Sequence, residues 1–172
     1  MEQINYMLNL YIMCGVGFSG KSTLAKKIAE YTEAVLVSQD ALYFELEKKL
    51  NLNQDSDEQW RMLLDMCKEK IADNLSNGKS VVYDSTNTRF DHREEIRKVT
   101  KSIEVQTKVI FLDTPIEVQK ERQRKNLETG ERHDVKQEYL DQAIAELEIP
   151  TKSENVIVFK PEDIVEDFLQ KI

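Results

Sequence analysis

Two periods alternate along this chain. Short solid apolar runs, the mark of strands buried on both faces, take turns with stretches whose apolar residues recur every three or four positions, the mark of amphipathic helices. The run Leu8–Cys14 predicts a first strand, and Ser22–Tyr31 a helix with Leu24, Ile28 and Tyr31 on one face. A second strand, Ala34–Val37, leads into a helix carrying Leu42, Phe44, Leu46 and Leu50. Asn51–Asp57 is a polar break in which Ser56 or Asp57 is placed to cap the next helix. That helix, over 58–75, spaces Trp60, Leu63, Leu64, Cys67, Ile71 and Leu75 helically and stops at Asn77-Gly78. Ser80–Tyr83 is a third strand, 90–100 a helix and Val105–Leu112 a fourth strand. Pro115 opens a helix that becomes highly charged after Val118, and the polar stretch Asn126–His133 precedes an amphipathic helix over Val135–Leu147. Asn155–Phe159 is the last strand and Pro161–Ile172 a closing helix.

Five strands separated by helices predict an α/β fold, a parallel sheet covered on both faces. In such sheets ligands bind beyond the carboxyl ends of the strands, so those ends are where chemistry is sought. Repeats, low-complexity segments and dividing linkers are absent, and 172 residues suffice for one domain, 1–172, with one core. A formal net charge of −8 argues against a broad nucleic-acid-binding surface. Two cysteines give no disulfide framework; Cys14, at the mouth of the loop that follows the first strand, and Cys67, in a helix, are expected as reduced thiols. Glu2 without a basic n-region, and an apolar run broken by Asn9, give no signal peptide, and no run approaches membrane-spanning length. A cytoplasmic protein with no membrane association is the expectation.

Between the first strand and first helix lies Gly15-Val16-Gly17-Phe18-Ser19-Gly20-Lys21-Ser22, then Thr23. This satisfies Gly, four residues, then Gly-Lys-Ser/Thr, in the strand–loop–helix setting the motif requires. Glycines let the backbone wrap a polyphosphate with its N–H groups inward, and the helix N-terminus adds partial positive charge. Lys21 is placed to reach the β- and γ-phosphates and the Ser22 hydroxyl to ligate Mg²⁺. Gly15, Gly17 and Gly20 also fit the dinucleotide pattern Gly-x-Gly-x-x-Gly, with Asp40 about twenty residues on. That rival leaves Lys21-Ser22 unexplained and needs an acid at the end of the second strand rather than past it. A nucleoside triphosphate is the ligand read here.

Two other strand ends carry acids. Asp84, closing Ser80-Val81-Val82-Tyr83-Asp84, is placed to hold Mg²⁺ directly or through water; its plain alternative is a cap or turn with Thr86 and Asn87. Asp40 is placed to accept the proton of an attacking hydroxyl, its alternative being an N-cap on a helix starting at Ala41. The basic cluster Lys120, Arg122, Arg124, Lys125 and Arg132 offers a cation to the phosphoryl group in flight, although helical spacing forces several members onto solvent or onto Glu117, Glu121 and Glu128. His92 and His133 lack metal-ligand spacing and read as exposed.

Taken together these residues resemble the polynucleotide-kinase-like P-loop kinases, small ATP-dependent enzymes that phosphorylate a hydroxyl and are often filed with AAA-type ATPases. The resemblance runs from Tyr11 to about Val158. It rests on the loop Gly15–Thr23, on Val37-Ser38-Gln39-Asp40, on Asp84-Ser85-Thr86-Asn87 followed by Arg89 and Arg93, and on the region of Arg122. The tail Leu147-Glu148-Ile149-Pro150 with Glu154 also fits. It implies a three-layer P-loop NTPase fold, a five-stranded parallel sheet in the order 2-3-1-4-5, and a lid at about 122–135. It gives Asp40 the general-base role, Lys21 and Ser22 the phosphate and Mg²⁺ roles, and Arg122 a lid contact to phosphate, assisted by Arg124 or Lys125. The chain departs from the pattern at Tyr43, where these kinases carry an arginine that grips an acceptor phosphate.

The resulting expectation is an ATP- and Mg²⁺-dependent kinase acting on a hydroxyl, with a small metabolite or nucleoside favoured over a nucleic-acid 5′-hydroxyl. Its acceptor pocket is read as Asp40, Tyr43, Thr86, Asn87, Arg89 and Arg93, with a planar part against Tyr43 and negative charge toward Arg93. The rival of a different class is a nucleotide-switched binding protein or an ATPase without an acceptor hydroxyl.

Overall fold

The computed structural model describes residues 7–53, 55–131, 133 and 135–172. Five strands, β1 (Leu8–Cys14), β2 (Val35–Ser38), β3 (Val81–Asp84), β4 (Val105–Leu112) and β5 (Val156–Phe159), form one parallel sheet in the order β2-β3-β1-β4-β5. The helices are α1 (Lys21–Thr32), α2 (Gln39–Leu50), α3 (Asp57–Ser76), α4 (Phe90–Arg97), α5 (Ile116–Thr129), α6 (Gln137–Ala145) and α7 (Val165–Leu169). None among the described residues is long and apolar enough to cross a membrane.

Period-two alternation on a sheet buried on both sides divides the apolar residues between two cores. Leu10, Ile12 and Cys14 of β1, with Val81 and Tyr83 of β3 and Val109 and Phe111 of β4, meet α2, α3 and α4 through Leu42, Leu63, Cys67, Ile71 and Ile96. Tyr11, Met13, Val82, Ile110 and Leu112 face the other way, onto Leu24, Ala25 and Ile28 of α1 and Phe168 of α7. A smaller cluster joins Val16 and Phe18, in the loop after β1, to Leu140 of α6. The buried residues of α5 are all polar, Gln119, Gln123 and Asn126, so this helix presents no buried apolar stripe to the core.

Several boundaries differ from the sequence expectation. Helix α1 runs to Thr32, one residue past the expected end, and Tyr31, although in helical register with Leu24 and Ile28, is 56% exposed at its C-terminal turn. The closing helix is only Val165–Leu169, because residues 161–163 form a turn in which the Asp163 carboxylate accepts from the Lys160 N–H. The charged helix α5 continues unbroken to Thr129, so 122–129 is helical, and residues 130–136 link it to α6. Arg132, one of the cations considered above, lies outside the described residues.

Candidate functional site

The glycine-rich loop is tied down from below. Gly15 N–H donates to the Thr86 carbonyl at 3.0 Å, and the Asn87 side-chain amide donates to the Met13 carbonyl at 2.8 Å. Gly20 sits at φ 103°, where an L side chain is disfavoured, and starts α1. Within the loop Lys21 Nζ donates to the Val16 carbonyl at 3.0 Å, so the ammonium curls over its own loop. The walls are dry. Leu140 of α6 lies 3.3 Å from where a Cβ on Gly17 would stand, and Val16 and Phe18 are buried beside it. The hydroxyl of Ser19 is buried, with no hydrogen-bond partner among the described residues. Ser22 and Thr23 follow on the first turn of α1, Ser22 half-buried and Thr23 exposed.

Arg122 reaches this loop from α5. Its Nη1 donates to the carbonyls of Phe18 and Ser19, both at 3.0 Å. Thr114, at the end of the β4–α5 connection, also bonds the Ser19 carbonyl at 3.0 Å, and Gln119 holds the Thr114 carbonyl in turn at 2.7 Å. The other cations of the cluster point elsewhere: Arg124 bridges Glu121 and Glu128, and Lys125 lies 3.6 Å from Glu121. Helical spacing accounts for the selection. Arg122 alone of the three shares a face with buried Gln119, Gln123 and Asn126, while Arg124 and Lys125 find carboxylates three and four residues away.

Asp84 closes β3, the neighbour of β1, in register with Ser38 at the end of β2, so Asp84 stands next to β1 and its loop and Asp40 follows one strand further out. Asp84 is 6% exposed, and among the described residues no hydrogen bond or ion pair engages its carboxylate. No group of three or more His, Cys, Asp or Glu side chains that would cage a metal exists among them either. A single buried carboxylate with a serine hydroxyl on the facing helix suits a Mg²⁺ ion that keeps most of its water and takes its remaining ligands from phosphate.

Asp40 is exposed on the first turn of α2. The cap of that helix is Ser38, whose hydroxyl accepts from the Ala41 N–H at 3.3 Å, so the capping alternative considered for Asp40 belongs to another residue. The signal was available: a serine ending an apolar strand is a preferred N-cap. The carboxylate of Asp40 lies near enough to Tyr83 and Cys67 for its charge to act on both. Tyr83 and Ser85 both donate to Oε1 of Gln39 at 3.0 Å, which joins the strand ends to the start of α2. Burial pushes the thiols of Cys14 and Cys67 up to about 11, so neither is a nucleophile near neutral pH. Cys14 is fully buried rather than placed at the mouth of the loop.

Three residues expected to line the acceptor pocket are built into the scaffold instead. Arg93 is 1% exposed. Its guanidinium forks onto Glu154 at 2.6 and 3.2 Å and spends Nη1 on the carbonyls of Asn87 and Thr88 at 3.0 and 2.9 Å. Asn87 is buried with φ 45° and its amide is committed to Met13. Tyr43 is 4% exposed because its ring stacks on Trp60, with centroids 5.1 Å apart. Tyr43 and Leu42 are the buried residues of α2, turned toward the core, which the apolar pattern of the helix had not distinguished from a turn outward. Thr86 has an exposed side chain, and Arg89 pairs with Asp91 at 2.6 Å on the rim of a cleft of about 670 Å³ that Arg61, Lys68 and His92 also line. What the sequence reading missed is a ring contact: His133 stacks on Phe44 with centroids 3.7 Å apart and planes at 14°. Its partners lie far apart in sequence and share no motif.

The loop, the sheet order and the acids at the strand ends define the P-loop NTPase fold in its kinase form. Residues 10–150 match the model of the AAA domain family AAA_33, and the chain belongs to that family. No curated protein matches the sequence. Among solved structures, a putative kinase from Chloroflexus aurantiacus J-10-fl superposes with a TM-score of 0.76 at 20% identity, covering 96% of each chain. A sugar kinase from Janibacter sp. HTCC2649 gives 0.71 at 22% identity, covering 96% of this chain and 91% of that one. The Mycobacterium tuberculosis APS kinase, in complex with AMPPNP and APS, gives 0.70 at 19% identity, over 96% of this chain and 95% of that one. At such identities the likeness is one of fold, and activity has to be argued from the site.

Proposed function

We propose that this protein is an ATP-dependent kinase that transfers the γ-phosphoryl group to a hydroxyl of a small acceptor. The observation that carries this reading is the convergence of three groups at adjoining strand ends: Lys21 after β1, Asp84 closing β3, and Asp40 two residues beyond β2. A P-loop alone serves any triphosphate enzyme; an exposed carboxylate across from it gives the reaction a destination for the acceptor's proton.

In this reading the loop N–H groups and Lys21 hold the β- and γ-phosphates, Lys21 giving up its bond to the Val16 carbonyl. Ser22 and Asp84 would hold Mg²⁺, which supplies charge neutralisation on the phosphates when bound. Arg122, already on the loop carbonyls, extends to the transferred group. Asp40 takes the proton as the acceptor oxygen forms its bond to phosphorus, while the bond from phosphorus to the β,γ-bridging oxygen breaks and ADP leaves. Positioning and fixed positive charge supply most of the rate.

The test is Asp40→Asn with radiolabelled ATP and a panel of nucleosides, polyols and oligonucleotides. Transfer is expected to fall roughly 10²- to 10⁴-fold, the range of a lost general base, with ATP affinity unchanged by calorimetry. Unaltered transfer, or ATP hydrolysis with no labelled acceptor in any arm, would sink the kinase reading and favour a plain ATPase.

A further inference from the structure

Resting on that kinase reading, we infer that the acceptor carries a planar heteroaromatic ring, a nucleobase, which stacks on Phe44 in the place His133 holds in this structure. Asp40 and Phe44 stand four residues apart on α2, one helical turn on the same face, with Cβ atoms roughly 5–6 Å apart. A ring lying on Phe44 therefore brings an attached sugar hydroxyl within reach of the Asp40 carboxylate. Phe44 is set for such a ring from behind. Its ring meets that of Tyr43 edge to face, at 88° with centroids 5.4 Å apart, and Tyr43 is itself stacked on Trp60. One face of Phe44 is covered by the imidazole, with centroids 3.7 Å apart and planes at 14°, a stacked arrangement that a base on an aromatic platform also takes.

His133 is suited to be displaced rather than to close a core. It is exposed, and it belongs to the connection between α5 and α6 rather than to either helix. A separate contact ties the start of α6 to the segment between α2 and α3, the Asp55 carboxylate accepting from Lys136 and from the Tyr139 hydroxyl, and it does not involve the imidazole. Tyr43, expected to offer the ring, is spent on Trp60; the platform is the next residue, turned about 100° around the helix.

The closing experiment separates this inference from the kinase reading by using binding as its readout. Trp60 is the chain's single tryptophan and stacks on Tyr43, which in turn meets Phe44, so its fluorescence reports on Phe44. With the nucleotide site saturated by AMPPNP and Mg²⁺, adenosine is expected to shift Trp60 emission and ribitol to leave it unchanged. Phe44→Leu, which keeps apolar volume and loses the flat face, should weaken adenosine binding about tenfold and leave AMPPNP affinity alone. His133→Ala should tighten adenosine binding a few-fold by removing the competing ring. A 5′-hydroxyl oligonucleotide arm identifies the source of the base: affinity above that of adenosine assigns it to a nucleic-acid end, equal or lower affinity to a free nucleoside. Equal responses to adenosine and ribitol, an unchanged Phe44→Leu, or weaker binding by His133→Ala would each overturn the inference. Adenosine binding that depends on Phe44 but is never followed by phosphoryl transfer would uphold the ring site and defeat the kinase reading alone.

Discussion

The two sides of the cleft are held by different kinds of contact. On the nucleotide side the loop hangs on main-chain groups: Gly15 on the Thr86 carbonyl, Asn87 on Met13, Arg122 on Phe18 and Ser19, and Arg93 beneath on Asn87 and Thr88. On the acceptor side α2 meets its surroundings mainly through side chains, in the rings of Phe44, Tyr43, Trp60 and His133 and the bonds of Gln39 to Tyr83 and Ser85. A main-chain group presents the same atoms whatever residue carries it, so in the proposed kinase reading the first side suits the triphosphate, which is the same whatever the acceptor. A side-chain contact changes with each substitution, so in that reading the second side sets which acceptor is taken.

The largest expected effect breaks the invariant side outright. Lys21→Ala should abolish phosphoryl transfer and weaken ATP binding in a calorimetric titration while urea unfolding stays near parental, since the Lys21 ammonium serves the loop through the Val16 carbonyl rather than an apolar core. Parental ATP affinity in the variant would remove the loop's assigned role.

Next comes the strut below it. Glu154→Ala leaves the Arg93 guanidinium buried without its carboxylate, and urea unfolding should register a loss of about 3–5 kcal/mol, with ATP affinity falling alongside. A loss under about 1 kcal/mol would mean the loop does not rest on this pair. Its pH dependence has a definite sign. Burial pushes the Glu154 carboxyl up, but the bonds from Arg93 and the Thr151 N–H and the charge of Arg97 outweigh it and hold the group below its ordinary 4.5. A depressed acid contributes fully above its unfolded value and loses that contribution as pH falls through the folded one. Stability should therefore decline as the pH drops below about 4.5, and Glu154→Gln should flatten that part of the curve.

A smaller change tests whether the acceptor side is independent. Ser38→Ala removes the cap of α2 and should cost about 1 kcal/mol. Because Asp40 sits on the freed first turn, the acceptor KM should rise while ATP affinity stays constant; a parallel loss of ATP affinity would join the two sides into one unit. Smallest of all, Arg124→Ala removes only exposed pairs to Glu121 and Glu128, and is expected to change stability by no more than about 0.5 kcal/mol and transfer not at all. A clear loss of transfer would move the phosphate contact from Arg122 to its neighbour.

By itself the sequence determined the strands, the loop and the sheet's covering on both faces. Apolar period and glycine spacing are local properties, and a strand buried on both sides or a loop that wraps phosphate leaves a contiguous trace in the chain. β1 and β4 were legible to the residue, and Ser38 was legible as a cap in principle. Tertiary structure alone decided the use of each polar or aromatic side chain around the cleft. An arginine reads the same whether it grips a ligand or forks onto a buried glutamate, and only the meeting of α4 with the turn before β5 puts Arg93 in the second class. Tyr43 and Phe44 are adjacent aromatic residues, and a rotation of about 100° along one helix makes the first a core ring and the second a platform. His133 reaches Phe44 from far along the chain, a closeness that no local pattern encodes because the sheet's crossovers, and not the sequence spacing, bring His133 over α2.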